Sequence, residues 1–151
     1  MNKQQKRSAR CLCIQLLYSL ELSDSYTSQD IVEYFFKSKD DDIDGIVYNE
    51  NEINYAKKLL DYTIKHVKKI DGIIQTKLVN WDMHRLAVID KIILRMCISE
   101  MLYMEEVPPK VSMAEGIEIA KQFSTNDSSS FINGILDAVY NENKNKLEET
   151  Q

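Results

Sequence analysis

The sequence predicts an all-α domain, because apolar residues recur three and four positions apart through most of its length, and no stretch alternates apolar with polar residues as a half-buried strand would. Punctuation is also sparse, with four glycines and two prolines among 151 residues. A chain of this size forms one domain and buries about 70% of its unfolded surface, so it needs no staples to hold a core.

The first helix is read over 5–22, with Ala9, Leu12, Cys13, Leu16, Leu17 and Leu20 on one side. Its basic residues crowd the first turns, beside the positive end of the helix dipole, where each costs a few tenths of a kcal/mol. Helix stability alone does not explain them. A short helix over 28–37 and an acidic loop, DDDIDG at 40–45, follow. The stripe Ile53, Ala56, Leu59, Leu60, Ile64 and Val67 predicts a helix over 51–69, and Gly72 is read as a kink or junction before another over 71–80. The next helix, 84–104, is apolar on nearly every side and is therefore expected at the centre of the bundle. Pro108 and Pro109 forbid a helix across the approach to the following segment. Ser112, three residues ahead of Glu115, has capping-box spacing, and a helix is predicted over 112–123. Its apolar face comprises Met113, Ile117, Ala120 and either Ile119 or Phe123. The polar run Ser124 to Ser130 interrupts, and a last helix spans 129–142 with Ile132, Ile135, Leu136 and Val139 inward. A division into subdomains of about 1–80 and 81–143, with a frayed tail over 144–151, is expected.

The net charge of −5 argues against nucleic acid as a partner, but its distribution is uneven. Residues 1–20 carry +4 and residues 21–52 carry −8, while 53–101 carry +4 and the remainder −5. Basic patches therefore stand on an acidic body. Lys6, Arg7 and Arg10, with Tyr18 further along the same helix, combine cations for phosphates with an aromatic for bases, the elements of single-stranded RNA binding. A solvated basic end is the simpler alternative.

Catalytic chemistry has little support. The glycines cannot build a phosphate loop, and His66 and His84 lack a cysteine or carboxylate at ligand spacing, so no metal, cofactor or enzymatic activity is expected. Cys11, Cys13 and Cys97 sit in apolar helical patterns and read as reduced core thiols. Asp90, Arg95 and Glu100 are spaced five apart on one helix, so each must find its partner elsewhere. Asp90, with Asp82, Arg85 and Lys91 around it, reads as exposed. The most apolar segment, 86–104, is broken by charges and does not read as a membrane span. With no leader read ahead of the first helix, a cytoplasmic protein is expected.

Five segments in order, SARCLCIQLLYSLEL (8–22), KIDGII with Trp81 downstream, RLAVIDKIILRMCISEML (85–102), VPPKVSMAEGIEIAKQF (107–123) and FINGILDAV (131–139), resemble the bacterial NusB antitermination family over nearly the whole chain. The resemblance implies two helical subdomains and a non-enzymatic factor. Such a factor pairs with NusE, a small-subunit ribosomal protein, binds boxA RNA and acts within the RNA polymerase antitermination complex, chiefly in ribosomal RNA transcription. Carried over by position, it places Lys6, Arg7 and Arg10 on phosphates, Tyr18, Asp127 and Phe131 near bases, and Asp90 against NusE. Self-association stays open. The same domain resembles the RNA-binding appendage of ribosomal RNA cytosine methyltransferases, and a helical adaptor without RNA binding is the other alternative. Two features depart from the family pattern: the N-terminal segment has fewer arginines, and Ser124 and Ser130 replace a common glycine and a common basic residue. Fewer cations imply weaker RNA binding unless Lys3 or the partner supplies charge.

Overall fold

The computed structural model describes residues 1–23, 29–30, 33, 48–79 and 82–149. Of the helix expected over 28–37 only residues 29, 30 and 33 are described, and the acidic loop and Trp81 lie outside the described residues. The described part is helical throughout: α1 (Lys3–Leu22), α2 (Glu50–Lys65), α3 (Val67–Lys77), a 3-10 turn (Met83–Arg85), α4 (Val88–Tyr103), α5 (Pro109–Phe123) and α6 (Asn126–Glu149). No helix among the described residues is long and apolar enough to cross a membrane.

Helix α4 is the hub, touching α1, α2, α3, α5 and α6, while α1 packs on α2 and α5 on α6. Its consecutive run Ile92, Ile93 and Leu94, then Met96, Cys97 and Ile98, is buried on all sides, as its non-amphipathic sequence requires. Gly116 lets α5 approach it closely, because a Cβ there would stand 2.4 Å from the Cys97 sulfur. Burial pushes the Cys13 and Cys97 thiols up from their ordinary pKa, consistent with inert packing residues.

Local chemistry sets the ends, and several differ from the sequence reading. Helix α1 starts at Lys3, capped by Asn2, whose side chain accepts from the Gln5 N–H at 2.8 Å while Gln5 returns the bond to the Asn2 N–H. Asn49 caps α2 through the Glu52 N–H. The junction between α2 and α3 falls at His66 rather than Gly72, which lies inside α3. The His66 ring stacks on Tyr103 with centroids 3.8 Å apart, fixing the break against α4. The segment read as one helix from 84 begins as a 3-10 turn capped by Asp82, and α4 starts only at Val88.

Pro109 occupies the first position of α5, where its missing N–H and fixed φ do no harm, so the helix begins three residues before Ser112. Ser112 and Glu115 are not a capping box. The same i, i+3 spacing that defines such a box also puts two side chains on one face, and both point inward here. Ile119, not Phe123, completes that face, and Phe123 is exposed. Helix α6 starts at Asn126 because Thr125 caps it, its hydroxyl accepting from the Ser128 N–H at 3.1 Å. It continues to Glu149, through the segment read as a frayed tail.

Candidate nucleic-acid interface

The basic start of α1 divides into two sets of side chains. Lys3 and Lys6 are exposed, whereas Arg7 and Arg10 turn toward the bundle. Arg10 is 2% exposed, and its Nε meets both Glu100 oxygens at 3.0 and 2.9 Å. Tyr55 and Ser112 donate their hydroxyls to the same carboxylate at 2.6 and 2.7 Å, so residues from α1, α2, α4 and α5 share one buried ion pair. Burial works against the Arg10 charge, but the Glu100 carboxylate outweighs it and holds the guanidinium firmly protonated. This corrects the sequence reading of Arg10 as a phosphate ligand: its donors are committed inside the fold. Arg7 is half-buried and grips Glu115 of α5 through Nε (2.7 Å) and one terminal nitrogen (3.0 Å). The hydrogen bond from Arg7 holds the Glu115 carboxyl below its ordinary range and raises Arg7 itself.

Tyr18 is 40% exposed and lies 11 residues beyond Arg7 on nearly the same stripe of α1. One turn further, Glu21 accepts from Lys91 and Arg95 of α4, and Arg95 also makes a two-pronged pair with Asp71 of α3 at 2.7 and 2.8 Å. The hydrogen bond from Lys91 holds Glu21 below its ordinary pKa. Arg95 and Glu100 thus find partners on other helices, as their five-residue spacing demanded.

Asp90 departs most from expectation. It is 6% exposed, not a surface charge, and its two oxygens accept from the Ser124 and Ser128 hydroxyls at 2.8 and 2.9 Å. Sitting in the first turn of α4, its charge also suits the helix dipole. The polar loop between α5 and α6 is therefore structural in part: Ser124, Thr125 and Ser128 clamp it to α4 and cap α6. Ser124, the departure from the family glycine, is extended backbone here and contributes its hydroxyl.

Beyond the clamp, Asp127 and Phe131 stand four residues apart on α6, on one face, both open to solvent. The Phe131 ring is 36% exposed and edges an open groove with Val79, Gly134 and Ile135. The fold thus leaves Lys6, Tyr18, Asp127 and Phe131 at the surface and withdraws Arg10 and Asp90. Sequence reasoning missed Lys110, whose ammonium lies 5.9 Å from the Tyr140 ring centroid beside the α1 terminus. Nothing in periodicity marks it, because its neighbours lie on other helices, Tyr140 on α6 and the start of α1 more than 100 residues back in sequence. Among the described residues no three His, Cys, Asp or Glu side chains group to hold a metal ion.

A helical bundle that offers cations and open aromatic rings, with its inner charges locked in pairs, presents the surface chemistry of a helical binding domain. The NusB family model matches residues 7–141, and the chain belongs to that family. The transcription antitermination protein NusB of Chloroherpeton thalassium is 39% identical over 147 residues, covering 93% of this chain and 64% of that relative, so the chain spans somewhat less than two thirds of its length. Among solved structures, T. maritima NusB superposes with a TM-score of 0.79 at 28% identity, covering 91% of each chain. A structure of antitermination factors NusB and NusE in complex with dsRNA matches with a TM-score of 0.78 over 93% of this chain and 99% of that one, a likeness of fold at 23% identity.

Proposed function

We propose that this protein is a transcription antitermination factor that pairs with NusE, a small-subunit ribosomal protein, to bind boxA RNA and act on RNA polymerase in the cytoplasm, chiefly during ribosomal RNA transcription. The observation that carries the reading is the exposure of Tyr18 and Phe131 in a chain of this family. Rings that had only to fill the core would be buried with Ile132 and Leu136, their neighbours on α6 and in the bundle. Lys6 and the open side of Arg7 supply charge, and Asp127 lies beside the ring of Phe131. Asp90, being buried, shapes the partner surface through the serine loop it holds instead of presenting its charge.

A second reading, a helical adaptor that meets proteins and never touches RNA, draws on the commitment of Arg7 and Arg10 to carboxylates. Equilibrium titration of the chain with boxA RNA, with and without NusE, separates the two. Phe131→Ala is expected to weaken binding by about 1–3 kcal/mol while leaving the salt dependence unchanged, because a stacked base is lost and no phosphate contact is. Wild-type protein that binds NusE but adds nothing to RNA affinity would favour the adaptor.

A further inference from the structure

We infer that the groove between α3 and α6 is a slot for one unpaired base of the RNA, and that Gly134 is the residue that keeps it open. The inference rests on the RNA-binding reading above and goes beyond it in naming a determinant of what enters the surface beside Phe131.

Glycine inside a helix is costly, because it gives up the most backbone freedom and has no side chain to pack, so its presence there needs a cause. At Gly116 the cause is internal: a Cβ would meet the Cys97 sulfur at 2.4 Å, and the glycine lets α5 reach α4. Gly134 lies well inside α6, has no left-handed backbone, and a Cβ built on it would find nothing within 4 Å. Neither packing nor backbone conformation requires glycine at this position. A local rule broken without an internal gain marks a functional position. What the missing side chain leaves clear is the groove itself, which Gly134 lines on the same helix face as Phe131, with Val79 on the opposite side just past the end of α3. Gly72 of α3 is equally free of neighbours but does not line this groove, which makes it the natural control.

The walls select the occupant. Lys77 pairs with Glu142 of α6, so its charge is already balanced and the groove is a poor seat for a phosphate. Val79 is 79% exposed and Phe131 36%, which leaves an apolar edge and one side of an aromatic ring open to water. A flat, neutral group with an apolar face covers both, and an unpaired nucleobase is the group of that kind which a single strand delivers. Ser130, on the same wall, is exposed, and among the described residues its hydroxyl has no hydrogen-bond partner, so it is available to the polar edge of the base. A methyl group at position 134 would stand where the base approaches the backbone of α6.

The test compares the two glycines in equilibrium titrations of the full chain with single-stranded boxA RNA, with and without NusE, alongside melting temperatures. Gly72→Ala and Gly134→Ala each add a methyl group in open space inside a helix, so each should raise the melting temperature by about 2–4 °C. Gly72→Ala should bind RNA like wild type. Gly134→Ala should bind about fivefold more weakly or worse, the lower end of what one stacked base contributes, with an unchanged salt dependence because no phosphate contact is touched. In a Phe131→Ala background the further loss from Gly134→Ala should be about twofold or less, since both residues act on the same base. A protein that melts higher and binds RNA less is not what damage to the fold produces. Gly134→Ala that melts higher and binds RNA like wild type would overturn the slot and leave the functional reading standing. A lowered melting temperature would show that position 134 is packed, and an undiminished loss in the Phe131→Ala background would put the two residues on different ligands; either overturns the inference. Weakened NusE binding at full RNA affinity would make the groove a protein surface and overturn it too. If wild type binds no RNA in either condition, the functional reading itself fails.

Discussion

Arg10 separates a reading of the helix as a basic arm from a reading of it as part of the core, and Arg10→Met tests the difference. The substitution keeps the aliphatic stem and removes the guanidinium. Glu100, 1% exposed, would then retain only the Tyr55 and Ser112 hydroxyls, at 2.6 and 2.7 Å, against a buried negative charge. Breaking a buried pair by removing one member costs about 3–5 kcal/mol, because the remaining charge is uncompensated. For a domain of this size each kcal/mol shifts the melting temperature by about 2–4 °C, so a fall of roughly 6–20 °C is expected. A surface phosphate ligand would behave differently: its loss changes stability by no more than about 0.5 kcal/mol and lowers the salt slope of RNA binding by about 0.7. Differential scanning calorimetry with parallel RNA titration of the folded fraction distinguishes the two. Adding Glu100→Gln should recover most of the stability, since no charge is then buried, the amide oxygen accepts from one hydroxyl and the amide NH2 donates to the other. Arg10→Met melting within 2 °C of wild type, with a lowered salt slope, would refute the assignment of Arg10 to the core.

Asp90→Ala should destabilise by about 2–4 kcal/mol in urea titration, since two hydroxyl bonds to a buried carboxylate and a favourable dipole contact are lost together; an unchanged midpoint would mean that Asp90 is a surface residue after all. Gly116→Ala should cost about 1–3 kcal/mol despite a helix-propensity gain near 1, because its Cβ meets the Cys97 sulfur at 2.4 Å, and in a Cys97→Ala background the same change should become neutral or favourable. Glu115 has a folded pKa held below the unfolded value of about 4.3, so its contribution is fully present above that pH and is lost as pH falls through the lower folded value. Stability measured across acid pH should therefore fall less steeply in Glu115→Gln than in wild type, and parallel curves would show that the pair with Arg7 is not formed.

The sequence by itself determined the helical character of the chain, the central place of α4 and the approximate extent of most helices. These follow from apolar spacing, which acts over one or two turns and needs no knowledge of distant neighbours. It also determined that Arg95 and Glu100 must pair across helices, because side chains five residues apart cannot meet. The basic start of α1 was legible on the same local grounds, whereas Phe131 entered only through the family resemblance. Tertiary structure alone decided which of the basic residues remain available. Arg10 and Glu100 are 90 residues apart, and Arg7 and Glu115 are 108 apart, so no local pattern announces that these charges neutralise one another. Asp90 looked exposed because its sequence neighbours are charged, yet the serine loop that buries it arrives from more than 30 residues away. Ser112 and Glu115 show the same limit at a helix end: one spacing serves both a capping box and an inward-facing pair. The proline at the first helical position and the carboxylate of Glu100 waiting across the interface select the second, because a buried charge takes the nearest donors that the packing delivers.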